Sequence, residues 1–356
     1  MFSGSHACFE KQGEKMKLLW SDKDIYTESC MFAIERSANL LFEAEEIIKI
    51  ETPALKKVYR DGVDYRFEPG SRVITLTANS EIPYVDRGVC YPEKDLRLFP
   101  EKNANAISGA INGKYLLFNN ENFFSENQVE VTYRAVKNDF CSELPEQNDR
   151  LLRVRAKIAA GKNMKIVLHG DSISEGFNST KFTNTFPYNP PYMEQVCFNL
   201  PGKHSFINRA VEGKGIHFPR TILEQWKDDA PDLMVIAFGM NDFSSVQPDE
   251  FIRELDWMIE TNRKVSPETE YIIIVPMTGN PEWQYTVSGP DLEYARAMLD
   301  YAANAQADTA VADVQRVWKK ILSRKKFLDL TGNGVNHPND YGHRIYASVL
   351  LDLLLP

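Results

Sequence analysis

From Met164 to the C-terminus, apolar runs of strand length alternate with segments of helical character. The apolar runs are MKIVLHG, HSFINRAV, DLMVIAFG, EYIIIVPM and TAVADV. The helical segments are PRTILEQWKDD, PDEFIRELDWMIETNRKV, PDLEYARAMLDYAANAQ and NDYGHRIYASVLLDLLL. Continuous Val, Ile and Leu runs are typical of strands buried on both faces, and their alternation with helices predicts a parallel sheet with right-handed crossovers. We therefore predict an α/β domain over residues 150–356.

Residues 17–145 have a different pattern, in which short strand-like runs are separated by the turn signals RDGV, EPGS and NGKY. In NQVEVTYRAV, for example, Val129, Val131 and Tyr133 share one face of a predicted strand. No long stretch keeps a helical period. The pattern predicts an all-β sandwich of jelly-roll type, and the polar residues 138–158 predict a linker that runs into a short helix.

Charge and hydropathy exclude two classes of partner. The chain has 356 residues and a formal net charge of −9, which argues against a nucleic-acid-binding surface because such surfaces need clustered Lys and Arg. No apolar run reaches the roughly 18 residues of a transmembrane helix, so no membrane span is expected. The N-terminus lacks the apolar core of a signal peptide, which favours a cytoplasmic location. An exported protein stays open if this N-terminus is shortened or engineered.

The cysteines and histidines do not form a metal-binding pattern. Five scattered cysteines, without a CxxC pair, favour reduced thiols, and a Cys90–Cys141 disulfide is the alternative. There is no HExxH motif and no cluster of His and carboxylate residues at ligand spacing. We therefore expect neither a metal nor a cofactor.

The first predicted strand ends in HGDSIS, which places Ser172 at a strand-to-helix turn. Sites in parallel sheets form beyond the carboxyl ends of the strands. A serine at this position has an exposed Oγ, and the nearby helix N-terminus favours an oxyanion. The motif is not the G-x-S-x-G elbow, because Ser174 stands where the second glycine would be. The alternative is that Ser172 only caps the helix.

Two further strand ends carry residues suited to binding an oxyanion. The second strand is followed by Gly213, whose backbone N–H can approach a ligand closely because no side chain intervenes. The third ends in AFGMND, where the amide of Asn241 can donate into the same cleft. Asp242 is expected to cap the next helix or to hold the loop.

Among the histidines, His337 is the candidate general base. It lies in the loop GNGVNHPNDYGH, just before the terminal helix, from which an imidazole can reach back to Ser172. His343 is expected to lie at the start of that helix and His169 to pack at the end of its strand, both as structural residues.

These blocks resemble the SGNH (GDSL) hydrolase family, which is named for Ser, Gly, Asn and His in four blocks. The resemblance covers about residues 164 to 354, with GDSI, GMND and NHPNDYGH as close matches. It implies a three-layer, flavodoxin-like parallel sheet, with an acyl group transferred to the serine and then to water. The matching residues in this chain are Ser172, Gly213, Asn241 and His337.

One departure from the family concerns the acid of the triad. The family usually places an aspartate three residues before the histidine, and some relatives place it four before, but here these positions are Gly334 and Asn333. We therefore expect a Ser-His dyad in which Asn333 or a main-chain oxygen orients His337. Asp329 and Asp340 are alternatives. If Asn333 is the orienting residue, Asn333→Asp should raise the rate.

An N-terminal sandwich joined to such a domain resembles the two-domain carbohydrate acetyl esterases. The resemblance implies removal of O-acetyl groups from a sugar or polysaccharide. The segments SEIPYVDRGVCYPEKD and FNSTKFTNTFPYNPPY either line a sugar site or pack on the sandwich. A lipid or thioester hydrolase and a catalytically weak carbohydrate-binding protein stay open as alternatives. The sequence does not determine the oligomeric state.

Overall fold

Two kinds of sheet follow one another along the chain. The computed structural model describes residues 18–19, 21–111, 113–140, 144–286 and 290–355. The strands in these ranges are β1 (Asp24–Cys30), β2 (Ser37–Asn39), β3 (Ala44–Glu51), β4 (Val58–Tyr59), β5 (Tyr65–Phe67), β6 (Val73–Leu76), β7 (Ala106–Ile107), β8 (Leu116–Leu117), β9 (Val129–Ala135), β10 (Lys165–Gly170), β11 (Ser205–Asn208), β12 (Leu233–Ala237), β13 (Glu270–Val275) and β14 (Thr309–Asp313).

Most helices lie in the second part of the chain. Those in the described ranges are α1 (Arg87–Cys90), α2 (Phe123–Asn127), α3 (Leu152–Ala159), α4 (Ser172–Glu175), α5 (Tyr192–Asn199), α6 (Phe218–Thr221), α7 (Leu223–Trp226), α8 (Pro248–Arg263), α9 (Pro290–Asn304), α10 (Val314–Leu322) and α11 (Asp340–Leu354), with a 3-10 turn at Phe327–Asp329. None of them is both long and apolar enough to cross a membrane.

The second part contains the predicted parallel sheet, with strand order β11-β10-β12-β13-β14 and every neighbouring pair parallel. Its apolar runs are continuous because each face of the sheet is covered. In β12, Val235 packs into the cluster that contains residues of α5 and α11, whereas Ile236 packs with α8 and α9 on the opposite face. Helix, sheet and helix thus form three layers, which confirms the predicted α/β fold.

The segment PRTILEQWKDD differs from the single helix expected there, because it forms the two short helices α6 and α7. The break is at Ile222, whose φ of −118° and ψ of 21° are not helical. The carbonyl of Pro219 accepts hydrogen bonds from the N–H of Ile222 and from the indole N–H of Trp226. The helix α6 therefore ends after one turn.

The first part consists of antiparallel sheets, as the sequence predicts. One has the order β1-β9-β3-β4, another β2-β6-β5, and β7 pairs with β8. Buried residues of the two larger sheets belong to one apolar cluster, which supports a sandwich-like arrangement of the sheets. That cluster continues into the α/β part, and the boundaries 17–145 and 150–356 stay predictions.

Strand β9 is buried on both faces. Val131 and Tyr133 are fully buried in the core between the sheets, and Glu130 and Thr132 on the other face are only 7% and 8% exposed. The second face is covered because Glu130 borders a small cavity whose far wall includes Asp340 of α11. Over residues 129–133, alternation along the strand therefore separates two buried environments, whereas Arg134, the next residue on the polar face, is exposed.

The two parts are joined by a fully buried ion pair. Lys325 Nζ lies 2.7 Å from Glu28 Oε1, and both side chains are 0% exposed. The same carboxylate accepts the N–H of Leu41 and the hydroxyl of Tyr133, while Lys325 also donates to the carbonyl of Asn39. Each charged group is therefore well hydrogen-bonded, as a buried pair requires.

The cysteines described by the structure carry free thiols, namely Cys30, Cys90 and Cys197. Cys141, the partner considered for Cys90, lies outside the described residues, as does Cys8.

We predict that Lys325→Met lowers the free energy of unfolding by about 3–5 kcal/mol, because it leaves the Glu28 carboxylate buried without its cation. The matched control is Lys326→Met, whose partner Glu35 is largely exposed, and here the loss should stay below about 1 kcal/mol. Urea unfolding followed by circular dichroism measures both values. Equal losses in the two variants would contradict the proposed importance of the buried pair.

Candidate active site

Ser172 is the first residue of α4, immediately beyond the carboxyl end of β10. The cap of this helix is Asp171, whose side chain accepts the N–H of Ile173 at 3.0 Å. Because Asp171 fulfils the capping role, the hydroxyl of Ser172 is left available for other contacts. The interpretation of Ser172 as only a helix cap is therefore wrong.

The hydroxyl of Ser172 faces the imidazole of His337, which comes from the loop before α11. Ser172 Oγ lies 2.9 Å from His337 Nε2, although 165 residues separate the two in sequence. The two residues are 5% and 7% exposed. The structure thus places these two predicted site residues in hydrogen-bonding contact, at the distance that proton transfer between them requires.

The other ring nitrogen of His337 contacts Asn178 and not Asn333. His337 Nδ1 lies 2.8 Å from Asn178 Oδ1. The side-chain oxygen of Asn333 instead accepts the backbone N–H groups of Val335, Asn336 and His337, each at 3.0 Å. The expectation that Asn333 orients the ring is therefore corrected: Asn333 shapes the loop that carries the histidine.

The two alternative acids also lie elsewhere. Asp329 accepts the N–H of Met31, and Asp340 accepts the N–H and the hydroxyl of Thr180. Neither carboxylate is hydrogen-bonded to His337. Within the described residues, the partner of Nδ1 is an amide and not a carboxylate.

Gly334, at the position of the usual aspartate, cannot be given a side chain without rearrangement. Its φ is +92°, a left-handed conformation that disfavours side chains. A Cβ there would lie 2.3 Å from the carbonyl oxygen of Leu117, which belongs to β8 in the first part of the chain. The N-terminal part thus occupies the space that an acid at this position would need.

The protonation state of His337 follows from its burial. Burial, with a smaller contribution from the nearby His343, lowers the pKa of His337 to about 3. The ring is therefore neutral near pH 7. Because Asn178 Oδ1 accepts a hydrogen bond, the single proton resides on Nδ1 and the lone pair of Nε2 faces the hydroxyl of Ser172.

Asn178 is the functional residue that the sequence did not reveal. It has a φ of +61°, a conformation that asparagine tolerates better than most residues. Its amide nitrogen lies 3.4 Å from the carbonyl of Asn120 in the first part of the chain, which leaves the amide oxygen for His337. It lies within FNSTKFTNTFPYNPPY, but the sequence has no motif that distinguishes it from other loop asparagines.

Gly213 and Asn241 follow β11 and β12, the strands on either side of β10. Gly213 has a φ of +67°, and its N–H donates no hydrogen bond within the described part of the chain. Asn241 Nδ2 donates to the carbonyl of Lys214 at 3.0 Å, which places the amide beside this loop. A second N–H of the amide stays available to a ligand.

Asp242 holds the same loop, as one of the two roles expected for it. Its Oδ1 accepts the N–H of Ile216 at 2.9 Å, and burial raises its pKa. His343 and His169 are also structural. His343 Nε2 lies 3.2 Å from the carbonyl of Phe177, and His169 packs edge-on against Trp226.

Aromatic side chains lie beside the His337 ring and on a loop that contacts the His337 loop. Phe177 packs edge-on against the His337 ring at 5.4 Å between centroids, and Phe182, 44% exposed, packs on Phe177 at 4.3 Å. In the contacting loop, Trp283 and Tyr285 form an edge-on pair at 5.1 Å. The segment FNSTKFTNTFPYNPPY, for which a sugar site and packing on the sandwich were the two alternatives, therefore reaches the histidine. It also contacts the first part of the chain, where the hydroxyl of Thr185 donates to Asn122 Oδ1.

The loop that carries Trp283 and Tyr285 is fixed directly to the His337 loop. The backbone N–H of Asn280 donates to the carbonyl of Val335, and its side chain donates to the carbonyl of Gly334. The indole N–H of Trp283 donates to the carbonyl of Ser108 in the first part of the chain. No motif in the sequence distinguishes this aromatic pair from other loop residues.

No group of three or more His, Cys, Asp or Glu side chains that could hold a metal ion is present among the residues that the structure describes.

We predict that the imidazole of His337 stays neutral from pH 8 down to about pH 4, whereas an ordinary histidine titrates near pH 6.5. Asn178→Asp should raise the pKa of His337, because a carboxylate beside Nδ1 favours the imidazolium. NMR titration of ¹³C-labelled histidine measures the pKa of His337 in the wild type and in Asn178→Asp, and the variant His337→Gln assigns the signal. Asn333→Asp is the control and should shift this pKa less, since Asn333 does not contact the ring. An equal or larger shift in the control would contradict the role of Asn178.

The chain is similar to an acetylxylan esterase from Geobacillus stearothermophilus, with 18% identity, 54% of this chain and 94% of that chain covered, and a TM-score of 0.43. A candidate GDSL-like lipase from Parabacteroides merdae has 17% identity, coverage of 53% and 94%, and a TM-score of 0.43. None of the curated proteins compared with the sequence matches it. The family model of the GDSL-like lipases and acylhydrolases matches residues 168–345, and the chain belongs to this family.

Proposed function

We propose that the protein is a serine carboxylic ester hydrolase that removes O-acetyl groups from a carbohydrate. The observation that carries the proposal is the 2.9 Å contact between Ser172 Oγ and Nε2 of a neutral His337. His337 takes the proton as Ser172 attacks the ester carbonyl, and it then protonates the leaving sugar hydroxyl. Water, activated by the same imidazole, hydrolyses the acyl-enzyme and releases acetate.

The oxyanion is held by the backbone N–H groups of Ser172 and Gly213 and by the amide of Asn241. The position of Ser172 at the N-terminus of α4, with the two other donors on neighbouring strand ends, supports this assignment. Donors that are fixed before the reaction stabilise the developing charge without having to reorganise.

Asn178 completes the site as a positioning residue. Its amide oxygen fixes the tautomer and the orientation of His337. A neutral amide stabilises the imidazolium less than a carboxylate does, so the enzyme relies more on orientation and on the oxyanion donors.

Three features support a carbohydrate ester with a small acyl group. Ser172 and His337 are more than nine-tenths buried, which leaves little room around the reacting atoms. Phe182 packs on Phe177, which contacts the His337 ring, and Trp283 belongs to a loop that hydrogen-bonds to the His337 loop through Asn280. Flat, partly exposed rings of this kind can stack on pyranose faces. The two-part arrangement also resembles that of carbohydrate acetyl esterases. A long-chain lipid ester is the alternative substrate.

We expect Ser172→Ala to abolish hydrolysis of p-nitrophenyl acetate and Asn241→Ala to lower kcat by about a hundred- to thousandfold. Both variants should fold, which the melting temperature checks, and Asp249→Asn on the surface of α8 is the control. If wild type and Ser172→Ala hydrolyse the ester equally slowly, the protein is not a serine esterase. Near-normal turnover by Asn241→Ala would remove Asn241 from the oxyanion site.

A second experiment tests the substrate class. We expect hydrolysis of an acetylated xylo-oligosaccharide and of p-nitrophenyl acetate, but not of p-nitrophenyl palmitate. Trp283→Ala should raise KM for the oligosaccharide by up to roughly tenfold, about the effect of losing one stacking contact of ~0.5–1.5 kcal/mol. It should leave KM for p-nitrophenyl acetate unchanged, since this ester has no sugar to stack. Faster hydrolysis of the palmitate would favour a lipid hydrolase instead.

A further inference from the structure

A small cavity lies between β9 of the first part and the start of α11. Its volume is about 30 Å³, room for about two water-sized groups. The residues that line it include five with side-chain oxygens, namely Ser29, Gln128, Glu130, Thr180 and Asp340, and no Lys, Arg or His is among the described residues that line it.

Glu130 is the unusual member of this lining. The residue is 7% exposed, and its Oε2 has no hydrogen-bond partner among the described residues. Asp340, by contrast, accepts hydrogen bonds from Thr180 and from the side-chain amide of Asn189. A buried carboxylate oxygen without a partner is costly, so this group calls for a positively charged or protonated neighbour.

The nearby cationic side chains do not meet this need. The Nη1 of Arg344 donates to the carbonyl of Tyr26 and to the hydroxyl of Thr27, and Lys49 forms an ion pair with Glu51. The charge of Arg344 acts on both cavity carboxylates from a distance. Burial raises the pKa of both carboxyls, so Glu130 takes up either a proton or a cation. With both carboxylates ionised, one shared guanidinium leaves about one negative charge uncompensated.

We propose that this cavity binds a monovalent cation, Na⁺ or K⁺, between Glu130 and Asp340. Hard cations prefer oxygen ligands, and this lining offers carboxylate, hydroxyl and amide oxygens. A single positive charge matches the uncompensated charge, whereas a divalent ion would exceed it. The ion links β9 to the first turn of α11, and hence the sandwich to the loop that carries Asn178 and Thr180.

The test compares melting temperatures in NaCl, KCl, CaCl₂ and choline chloride at one ionic strength and at pH 8. For the wild type we expect a saturable rise of roughly 2–5 °C in NaCl or KCl over choline chloride, because an ion that binds only the folded state stabilises it. Glu130→Gln should abolish this rise. Because the readout is stability, the result does not depend on whether the protein is an esterase.

The matched control is the double variant Lys49→Met/Glu51→Gln, because Glu51 is also buried and stands directly opposite Glu130 in the β3–β9 register but does not line the cavity. Removing Lys49 together with its partner Glu51 leaves no free cation beside Glu130. The double variant should keep the response to Na⁺ or K⁺. Equal melting temperatures of the wild type in all four salts would overturn the proposal and would mean that Glu130 is protonated. A rise in melting temperature with CaCl₂ alone would contradict the proposal that the bound ion is monovalent. If Glu130→Gln does not fold, wild-type crystals soaked in RbCl provide the test, with Rb⁺ in place of the bound cation. We expect an anomalous peak between Glu130 and Asp340, and the absence of this peak would overturn the proposed site.

Discussion

The site depends on one constraint: the ring of His337 must be held against Ser172 although no acid touches it. Asn333 meets part of this constraint by binding three successive backbone N–H groups of the loop. Asn178 meets the rest by binding Nδ1 at 2.8 Å. Together they fix both the path of the loop and the tautomer of the ring, which are the two things that a general base needs before its substrate arrives.

An amide is well suited to this place because the site is buried. An acid beside the imidazole would bring a full charge into surroundings that already lower the pKa of His337 to about 3. The amide of Asn178 orients the ring without adding a charge. The cost is weaker stabilisation of the imidazolium, so a serine esterase built on this site would rely more on its oxyanion donors, for which Gly213 and Asn241 are the proposed residues.

The N-terminal part of the chain contacts the residues that hold His337 in place. The carbonyl of Leu117 fills the space beside Gly334, and the carbonyl of Asn120 accepts a hydrogen bond from Asn178. The buried pair of Lys325 and Glu28 joins the same two parts of the chain. A change in how the sandwich packs would therefore alter the position of His337 through these backbone contacts, even if Ser172 and His337 themselves were unchanged.

The sequence by itself determined the parallel sheet, the antiparallel first part and the places of Ser172 and His337, because strand periodicity and strand ends are local properties of the chain. The partner of His337 was decided by the tertiary structure. Asn178 is 159 residues from His337, and only the packing of the loops brings the two together. The exclusion of an acid at Gly334 has the same origin, since Leu117 is distant in sequence and no local pattern records a contact of this range.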